Sequence, residues 1–290
     1  MGDPGLLFSP TMKIATYPIP GDSKGGELHL YGDLGAKNIA LAIPGFPDDQ
    51  SLMAPMAEYL SSKGILVGIT CLPGYQVTDK KNWKDHPKSG YTLEQIVSCI
   101  NEAVKTLRKE ATNPSAKFTA IFFDWGVFVG QVWANRALEE GDSSVKPDQL
   151  VLLDILAPPH PSTKNIPPAK PMTFYEKSVQ FIYRAVLASS YVLLSHGFNT
   201  LAKMVMLPSF ITLGALNLGP TRQIDAAVFE EKSKTTPPDL DQMIYMAYPY
   251  YYLFKVRRRS VHLPYTIAVL LIKHLLLLCS SKSFSVRTSG

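Results

Sequence analysis

Residues 118–136 constrain the fold most, because an apolar strand pattern passes directly into a helical pattern with one carboxylate between them. Phe118–Phe123 is short, continuous and free of Gly and Pro, which is typical of a strand buried on both faces. The residues after Asp124 repeat apolar side chains at helical spacing, at Val129, Val132 and Trp133. Asp124 is therefore predicted at the carboxyl end of a buried strand, where open α/β sheets place their ligand sites.

The same alternation of strand and helix extends over residues 39–155. Buried strands are predicted at Ile39–Ile43, Ile65–Cys71 and Gln149–Ile155, and amphipathic helices at Leu52–Ser62 and Tyr91–Glu110, the latter capped by Thr92. Before them, Ile14–Ile19 and Glu27–Gly32 alternate as in an antiparallel hairpin with one wet face. This order predicts an α/β fold with a mostly parallel sheet flanked by helices on both sides.

Two of the predicted turns carry a family resemblance. Asp124-Trp125-Gly126 resembles the nucleophile elbow of the α/β-hydrolase superfamily, in the aspartate version found in epoxide hydrolases and haloalkane dehalogenases. Pro44-Gly45-Phe46-Pro47, after the third strand, resembles the oxyanion loop of that superfamily. The resemblance implies that Asp124 is a nucleophile that forms a covalent ester, with the amides of Phe46 and Trp125 as the oxyanion hole. The alternative is that Asp124 is an ordinary helix N-cap.

The resemblance is incomplete at several positions. Pro44 replaces the histidine of the oxyanion loop and removes a backbone donor. Leu72-Pro73-Gly74-Tyr75 keeps a family turn but lacks its acid, and Phe122 and Phe123 are bulkier than the residues usual before the nucleophile. The C-terminal part shows no strand–turn–Asp segment and no Gly-His, so the base that would activate water stays unassigned.

Further site residues follow from the resemblance alone. Asp154, at the end of the sixth strand, is expected to supply the acid of the site. Tyrosines of a helical lid are expected to protonate an epoxide oxygen, although packing is the simpler role for each. The candidates are Tyr183, Tyr191 and Tyr245, and the cluster Tyr248, Tyr250, Tyr251 and Tyr252, and spacing does not choose between them. The patterns around His29 and His86 predict surface positions for both residues.

The chain divides into three predicted segments. Residues 13–155 form the hydrolase core, 156–252 a Pro-rich connector and helical lid inserted after the sixth strand, and 253–290 a basic and apolar tail. The lid pattern is broken at Gly197, Pro208 and Gly214. In the tail, Val261–Cys279 follows Arg257–Arg259 and is long enough to span a bilayer, but it contains Lys273 and His274. Three alternatives are open for this tail. It associates with a membrane through residues 255–279, it forms a helix packed on the body of the protein, or it is a segment foreign to the fold.

Charge and cysteine content limit the partners, metal sites and locations that the sequence predicts. The net charge of +5 is not concentrated before residue 255, which argues against a nucleic-acid partner. Three widely spaced cysteines predict neither a disulfide framework nor a metal cluster, and the first twenty residues contain no signal-peptide pattern, so a cytoplasmic location is expected, with membrane association open. The resemblance requires no metal and no organic cofactor.

The sequence therefore predicts an α/β-hydrolase-like hydrolase, closest to epoxide hydrolases, that attacks a small apolar substrate through Asp124. A catalytically inactive or truncated hydrolase fold that serves as a binding or membrane-tethered module is the alternative. An esterase or a dehalogenase on the same scaffold is a further enzyme alternative. A dehalogenase is the weaker of these, since besides Trp125 only Trp83 and Trp133 could hold a halide.

Overall fold

A computed structural model describes residues 13–20, 22–76, 83–153, 173–215 and 240–257. These residues fall into two compact units, one from 13 to 153 and one from 173 to 215 and 240 to 257. Each unit buries apolar side chains, such as Leu41 and Phe118 in the first and Leu187 and Met206 in the second.

A six-stranded sheet organises the first unit. Its strands are β1 (Lys13–Ile19), β2 (Asp22–Tyr31), β3 (Asn38–Ile43), β4 (Ile65–Ile69), β5 (Lys117–Phe123) and β6 (Gln149–Leu153), in the spatial order β1-β2-β4-β3-β5-β6. β3 runs parallel to β4 and β5, and β5 runs parallel to β6. β2 runs antiparallel to both β1 and β4. The predicted hairpin and parallel core are confirmed, but the sheet is mixed because the hairpin joins the core through β2.

Helices cover both faces of this sheet. On one face, α1 (Ala54–Ser62) packs on β4 and β2, around a buried cluster that includes Val67, Ile69 and Ile121. On the other, α2 (Leu93–Glu110) packs on β1 and β2, and α3 (Trp125–Glu139) packs on β5. Short 3₁₀ turns lie at Gln50–Leu52 and Trp83–Asp85. Because successive residues of a strand point to opposite faces, β5 offers Phe118 and Phe122 to Trp133 of α3 and Ile121 to the α1 side.

The start of α2 follows directly from its sequence. The Thr92 hydroxyl accepts a hydrogen bond from the Gln95 backbone N–H (3.3 Å), and the Gln95 side chain accepts one from the Thr92 N–H (2.9 Å). This reciprocal capping box satisfies two backbone donors that the first helical turn leaves without helical partners. The predicted cap at Thr92 is confirmed.

The prediction that β6 is a buried strand is wrong. Leu150, Val151 and Leu153 are 39%, 37% and 38% exposed. Neighbouring residues of a strand face opposite sides, so both faces of β6 are open. In the described part of the chain, β6 pairs with β5 and forms the edge of the sheet. An apolar run indicates that a segment is a strand, but it does not indicate how many neighbours cover that strand.

Four helices make up the described part of the second unit. They are α4 (Phe174–Ser195), α5 (Asn199–Ala215), α6 (Leu240–Met246) and α7 (Tyr248–Arg257). α4 packs against the other three. The predicted break at Gly197 is confirmed, since this residue has a φ of +86° between α4 and α5. The predicted break at Pro208 is wrong, because α5 continues through it.

The helices in the described ranges include none that is both long enough and apolar enough to cross a bilayer. The apolar tail run Val261–Cys279 lies outside the described residues, as does Asp154.

Candidate active site

Asp124 adopts a backbone conformation that side chains rarely tolerate. It links β5 to α3 with φ 49° and ψ −122°, and it is the residue other than glycine with a positive φ in the described ranges. A non-glycine residue held at such angles costs about 1–3 kcal/mol and persists only where the surrounding structure imposes it. The Asp124 side chain makes no capping hydrogen bond to α3, so it is not the N-cap that the alternative prediction describes.

The carboxylate of Asp124 is instead engaged by the loop that follows β3. The backbone N–H of Phe46 donates a hydrogen bond to Asp124 Oδ2 over 2.8 Å. A second loop contact runs from the Asp48 N–H to the Gly45 carbonyl oxygen (2.9 Å), and the Phe46–Pro47 peptide is cis. β3 and β5 are adjacent and parallel, with Ile43 paired to Phe122. The turns that follow them therefore meet at the carboxyl ends of the strands. The sheet thus places the two predicted turns together.

Two glycines allow this close approach. A Cβ added at Gly45 would contact Asp124 Oδ2 and the Trp125 backbone nitrogen, which therefore border the same small space. A Cβ added at Gly126 would lie 2.5 Å from the Ile43 carbonyl oxygen, a distance that real Cβ atoms do not adopt. Gly45 and Gly126 are thus residues that let the loop after β3 and the turn after β5 touch.

The turn after β4 supports the loop that follows β3. The ring of Tyr75 meets the ring of Phe46 edge-on, with 6.5 Å between ring centroids, and both side chains are buried. The Tyr75 N–H donates to the Leu72 carbonyl oxygen (3.0 Å) and closes the turn that the sequence marks with Pro73-Gly74. Tyr75 therefore positions the residue whose amide contacts Asp124.

The histidines do not lie where the sequence patterns placed them. His86 is 4% exposed and His29 is 9% exposed, so the prediction of surface positions is wrong. His29 lies on β2, the strand between β1 and β4, and its Nε2 lies 3.1 Å from Glu27 Oε2. The residues around His86 are polar, so the sequence pattern gave no indication that its imidazole is buried.

His86 belongs to a buried network that sequence analysis did not predict. Asp22 Oδ2 lies 2.8 Å from His86 Nδ1 and accepts a hydrogen bond from the Tyr91 hydroxyl (2.7 Å). His86 Nδ1 also lies 2.8 Å from the Tyr91 oxygen. These three residues are far apart in the sequence or separated by irregular segments, so no spacing rule would have connected them. The network joins the β1–β2 hairpin to the segment that precedes α2.

The network controls the ionisation of its carboxyl group. Burial alone would raise the pKa of Asp22, but the hydrogen bonds from the Lys24 backbone N–H and the Tyr91 hydroxyl, with the positive charge of His86, lower it overall. Burial, with the nearby carboxylates of Asp22 and Glu102, raises the pKa of Cys99 to about 12. Cys99 is therefore a neutral thiol near pH 7, and a neutral thiol is a poor nucleophile.

The three candidate tyrosines lie in the second unit and are packed among other tyrosines. Tyr191 on α4 has its ring centroid 6.4 Å from that of Tyr245 on α6, and Tyr183 on α4 lies 5.8 Å from Tyr250 on α7. Burial, followed by the neighbouring Tyr252 and Tyr251, raises the pKa of Tyr191, so its hydroxyl stays protonated. The packing role that the sequence favours is present for each, and the role of proton donor stays a prediction.

Comparisons with known proteins address the fold. The sequence matches no protein-family model and no curated protein. Among solved structures, it resembles a candidate epoxide hydrolase from Klebsiella pneumoniae at 14% identity and a TM-score of 0.51, over 91% of this chain and 76% of that one. Cfl2 from Burkholderia cenocepacia gives 14% identity and a TM-score of 0.51, over 84% and 71%. A candidate acyltransferase from Salmonella enterica gives 13% and 0.51, over 85% and 71%.

Identities this low show a shared fold alone, because one fold can host unrelated activities. The six-stranded sheet with helices on both faces agrees with that likeness. The chain therefore has an α/β-hydrolase fold.

Proposed function

We propose that this chain is an epoxide hydrolase-like enzyme that attacks a small apolar substrate through Asp124. The observation that supports this function best is the hydrogen bond from the Phe46 amide to Asp124 Oδ2, on a turn whose backbone is strained. A helix cap requires neither the strain nor a donor from a distant loop. A nucleophile benefits from both features: the strained turn exposes its carboxylate, and the amide donor stabilises the charge that forms when its ester is hydrolysed.

The first step makes a covalent ester. The Phe46 amide distinguishes the two carboxylate oxygens, and we assign the attack to Oδ1 while Oδ2 stays on the amide. Oδ1 forms a bond to a ring carbon of the epoxide, the C–O bond of the ring breaks, and the released alkoxide takes a proton. The proposed donors of this proton are Tyr183, Tyr191 and Tyr245, on the segment 156–252 that we propose as a lid.

The second step releases the product. Water adds to the carboxyl carbon of Asp124, loses a proton to a base, and drives negative charge onto Oδ2. The Phe46 amide already points at that atom, and the Trp125 amide borders it, so both would stabilise the charge. Collapse of the intermediate releases a diol and returns Asp124 as a carboxylate that carries one oxygen from water. Asp154 is the proposed acid of the site, and the base is unassigned.

Isotope labelling tests this proposal at Asp124 itself. The full chain is incubated with a panel of small apolar epoxides in heavy-oxygen water, and its peptides are examined by mass spectrometry. We expect the peptide that contains Asp124 to gain heavy oxygen during turnover. An alkyl ester that accumulates there without turnover would show that the nucleophile works and that the base is absent.

A matched pair of variants controls the experiment. Asp124→Asn should abolish both label and ester, whereas Asp142→Asn, a partly exposed aspartate in a loop of the first unit, should leave both unchanged. If the unmodified chain gains neither label nor ester with any epoxide, the proposal is wrong, and a binding module on a hydrolase scaffold becomes the better explanation. Ester formation with halogenated alkanes and not with epoxides would favour a dehalogenase instead.

A further inference from the structure

The first half of α4 presents large apolar side chains to solvent. Phe174 is 87% exposed, Ile182 is 57% exposed and Phe181 is 49% exposed. In contrast, every residue from Ala185 to Tyr191 on the same helix is buried. Single exposed apolar side chains are common, but several that lie on one part of a helix indicate a site of interaction.

The two phenylalanines share one side of the helix with two basic residues, and Ile182 lies on the other side of the phenylalanine row. Phe174 and Phe181 are seven residues apart, as are Lys177 and Arg184, and about two turns of helix separate the members of each pair. Lys177 and Arg184 are both exposed, and Arg184 donates to the neutral side chain of Gln180 (3.4 Å). At about 100° per residue, the basic row lies roughly one-sixth of a turn from the phenylalanine row. The α4 face, defined by Phe174, Lys177, Phe181, Ile182 and Arg184, is therefore apolar along its centre and basic along one side.

The opposite side of α4 packs against another helix of the second unit. Tyr183 packs edge-on against Tyr250 of α7, and helical spacing places Tyr183 nearly half a turn from both Phe174 and Phe181. The α4 face carries the positive charges of Lys177 and Arg184, both of which are exposed.

We propose that the α4 face docks on an anionic lipid bilayer. Phenylalanines enter the boundary between headgroups and acyl chains favourably, and flanking lysine and arginine side chains reach the negatively charged headgroups. The charge complementarity selects an anionic surface over a neutral one. This inference is independent of the proposed hydrolase activity and of the tail segment after residue 257.

Vesicle flotation of the full chain tests the proposal. We expect binding to vesicles of phosphatidylcholine with about one-third phosphatidylserine, and weaker binding to pure phosphatidylcholine. Phe174→Ser with Phe181→Ser should reduce the partition coefficient by on the order of tenfold, because two side chains no longer enter the interface. Lys177→Glu with Arg184→Glu should reduce it by a similar factor, and should also remove most of the dependence on salt.

Matched variants in the first unit serve as controls, because they change the apolar area or the charge of the protein surface away from the α4 face. Leu138→Ser removes an apolar side chain that is 56% exposed, and Lys37→Glu with Lys117→Glu reverses two exposed charges. Both controls should bind as the parent does, and circular dichroism should show all variants folded. If the serine pair unfolds the protein, the charge-reversal pair still decides the matter.

Three results would overturn the proposal. They are no binding to either vesicle, equal binding to both vesicles, and parent-like binding by the charge-reversal variant, which would assign the contact to another part of the chain. Epoxide labelling in detergent-free buffer provides a separate readout, because loss of vesicle binding should leave labelling of Asp124 unchanged.

Discussion

At the scale of single residues, Asp22 shows how a buried carboxylate joins segments that sequence patterns leave unconnected. Its side chain is 3% exposed and lies within hydrogen-bonding distance of His86 and Tyr91, and it accepts a bond from the Lys24 amide. Each partner favours the ionised form, so the pKa of Asp22 is lower in the folded chain than in the unfolded one. The stability that Asp22 provides is therefore linked to pH.

We expect this link to appear in acid. Because the folded pKa is depressed, the contribution of Asp22 is complete above its unfolded pKa of about 3.9 and is lost as pH falls toward the folded value. Asp22→Asn should lower the free energy of unfolding by about 2–3 kcal/mol near pH 7 and by progressively less below about pH 4. Urea denaturation at several pH values measures this, with the exposed Asp33→Asn as control. A constant difference across that pH range would contradict the linkage.

Gly45 provides a second residue-scale test, since its missing side chain leaves space for the proposed site. Gly45→Ala should force the Phe46 loop away from Asp124 and reduce the rate of heavy-oxygen labelling by about 100-fold, the usual effect of losing one oxyanion donor. Gly35→Ala is the matched control, because its added Cβ would meet its nearest atom at 3.5 Å, an ordinary contact. Labelling of Gly45→Ala at the parent rate would remove the Phe46 amide from the mechanism.

At the scale of elements, the helix α2 was predictable because its signals are local. Thr92 and Gln95 are three residues apart, and the inward side chains recur at helical spacing from Ile96 to Leu107. Removing the cap should cost about 1 kcal/mol. We expect Thr92→Ala to lower the free energy of unfolding by that amount and Thr92→Ser to restore most of it, as measured by chemical denaturation. Equal losses in both variants would show that the methyl group of Thr92 matters more than its hydroxyl.

The two apolar strands β4 and β6 give the opposite lesson. Val67 on β4 is fully buried, whereas Val151 on β6 is 37% exposed, although both occur in short runs of similar composition. Val67→Thr should cost about 1–3 kcal/mol, because it buries a hydroxyl without arranging a partner for it. Val151→Thr should change stability by less than about 0.5 kcal/mol. Similar losses at both positions, in parallel urea titrations, would mean that β6 is covered in solution.

At the scale of the whole molecule, the sequence predicted what depends on order along the chain. The strand and helix alternation, the hairpin, and the meeting of the Gly45 and Asp124 turns all follow from connectivity, since turns after adjacent parallel strands share an edge. The inward His86, the mixed sheet and the exposure of β6 depend on which elements become neighbours, and a single sequence does not encode that locally. The helix α5 passes through Pro208 for the same reason, because packing can outweigh a local breaker.

Among the described strands β6 has a neighbour on one side only, and this edge bears on how the protein behaves when concentrated. Natural edge strands are usually guarded by lysine, proline or a bulge, yet Gln149–Leu153 carries no charge and no proline. An unguarded edge of this kind can template pairing with another copy, so the chain should show scattering that rises with concentration faster than ideal behaviour allows. A lysine at position 151 should suppress that rise, which makes Val151→Lys a simple route to better-behaved samples.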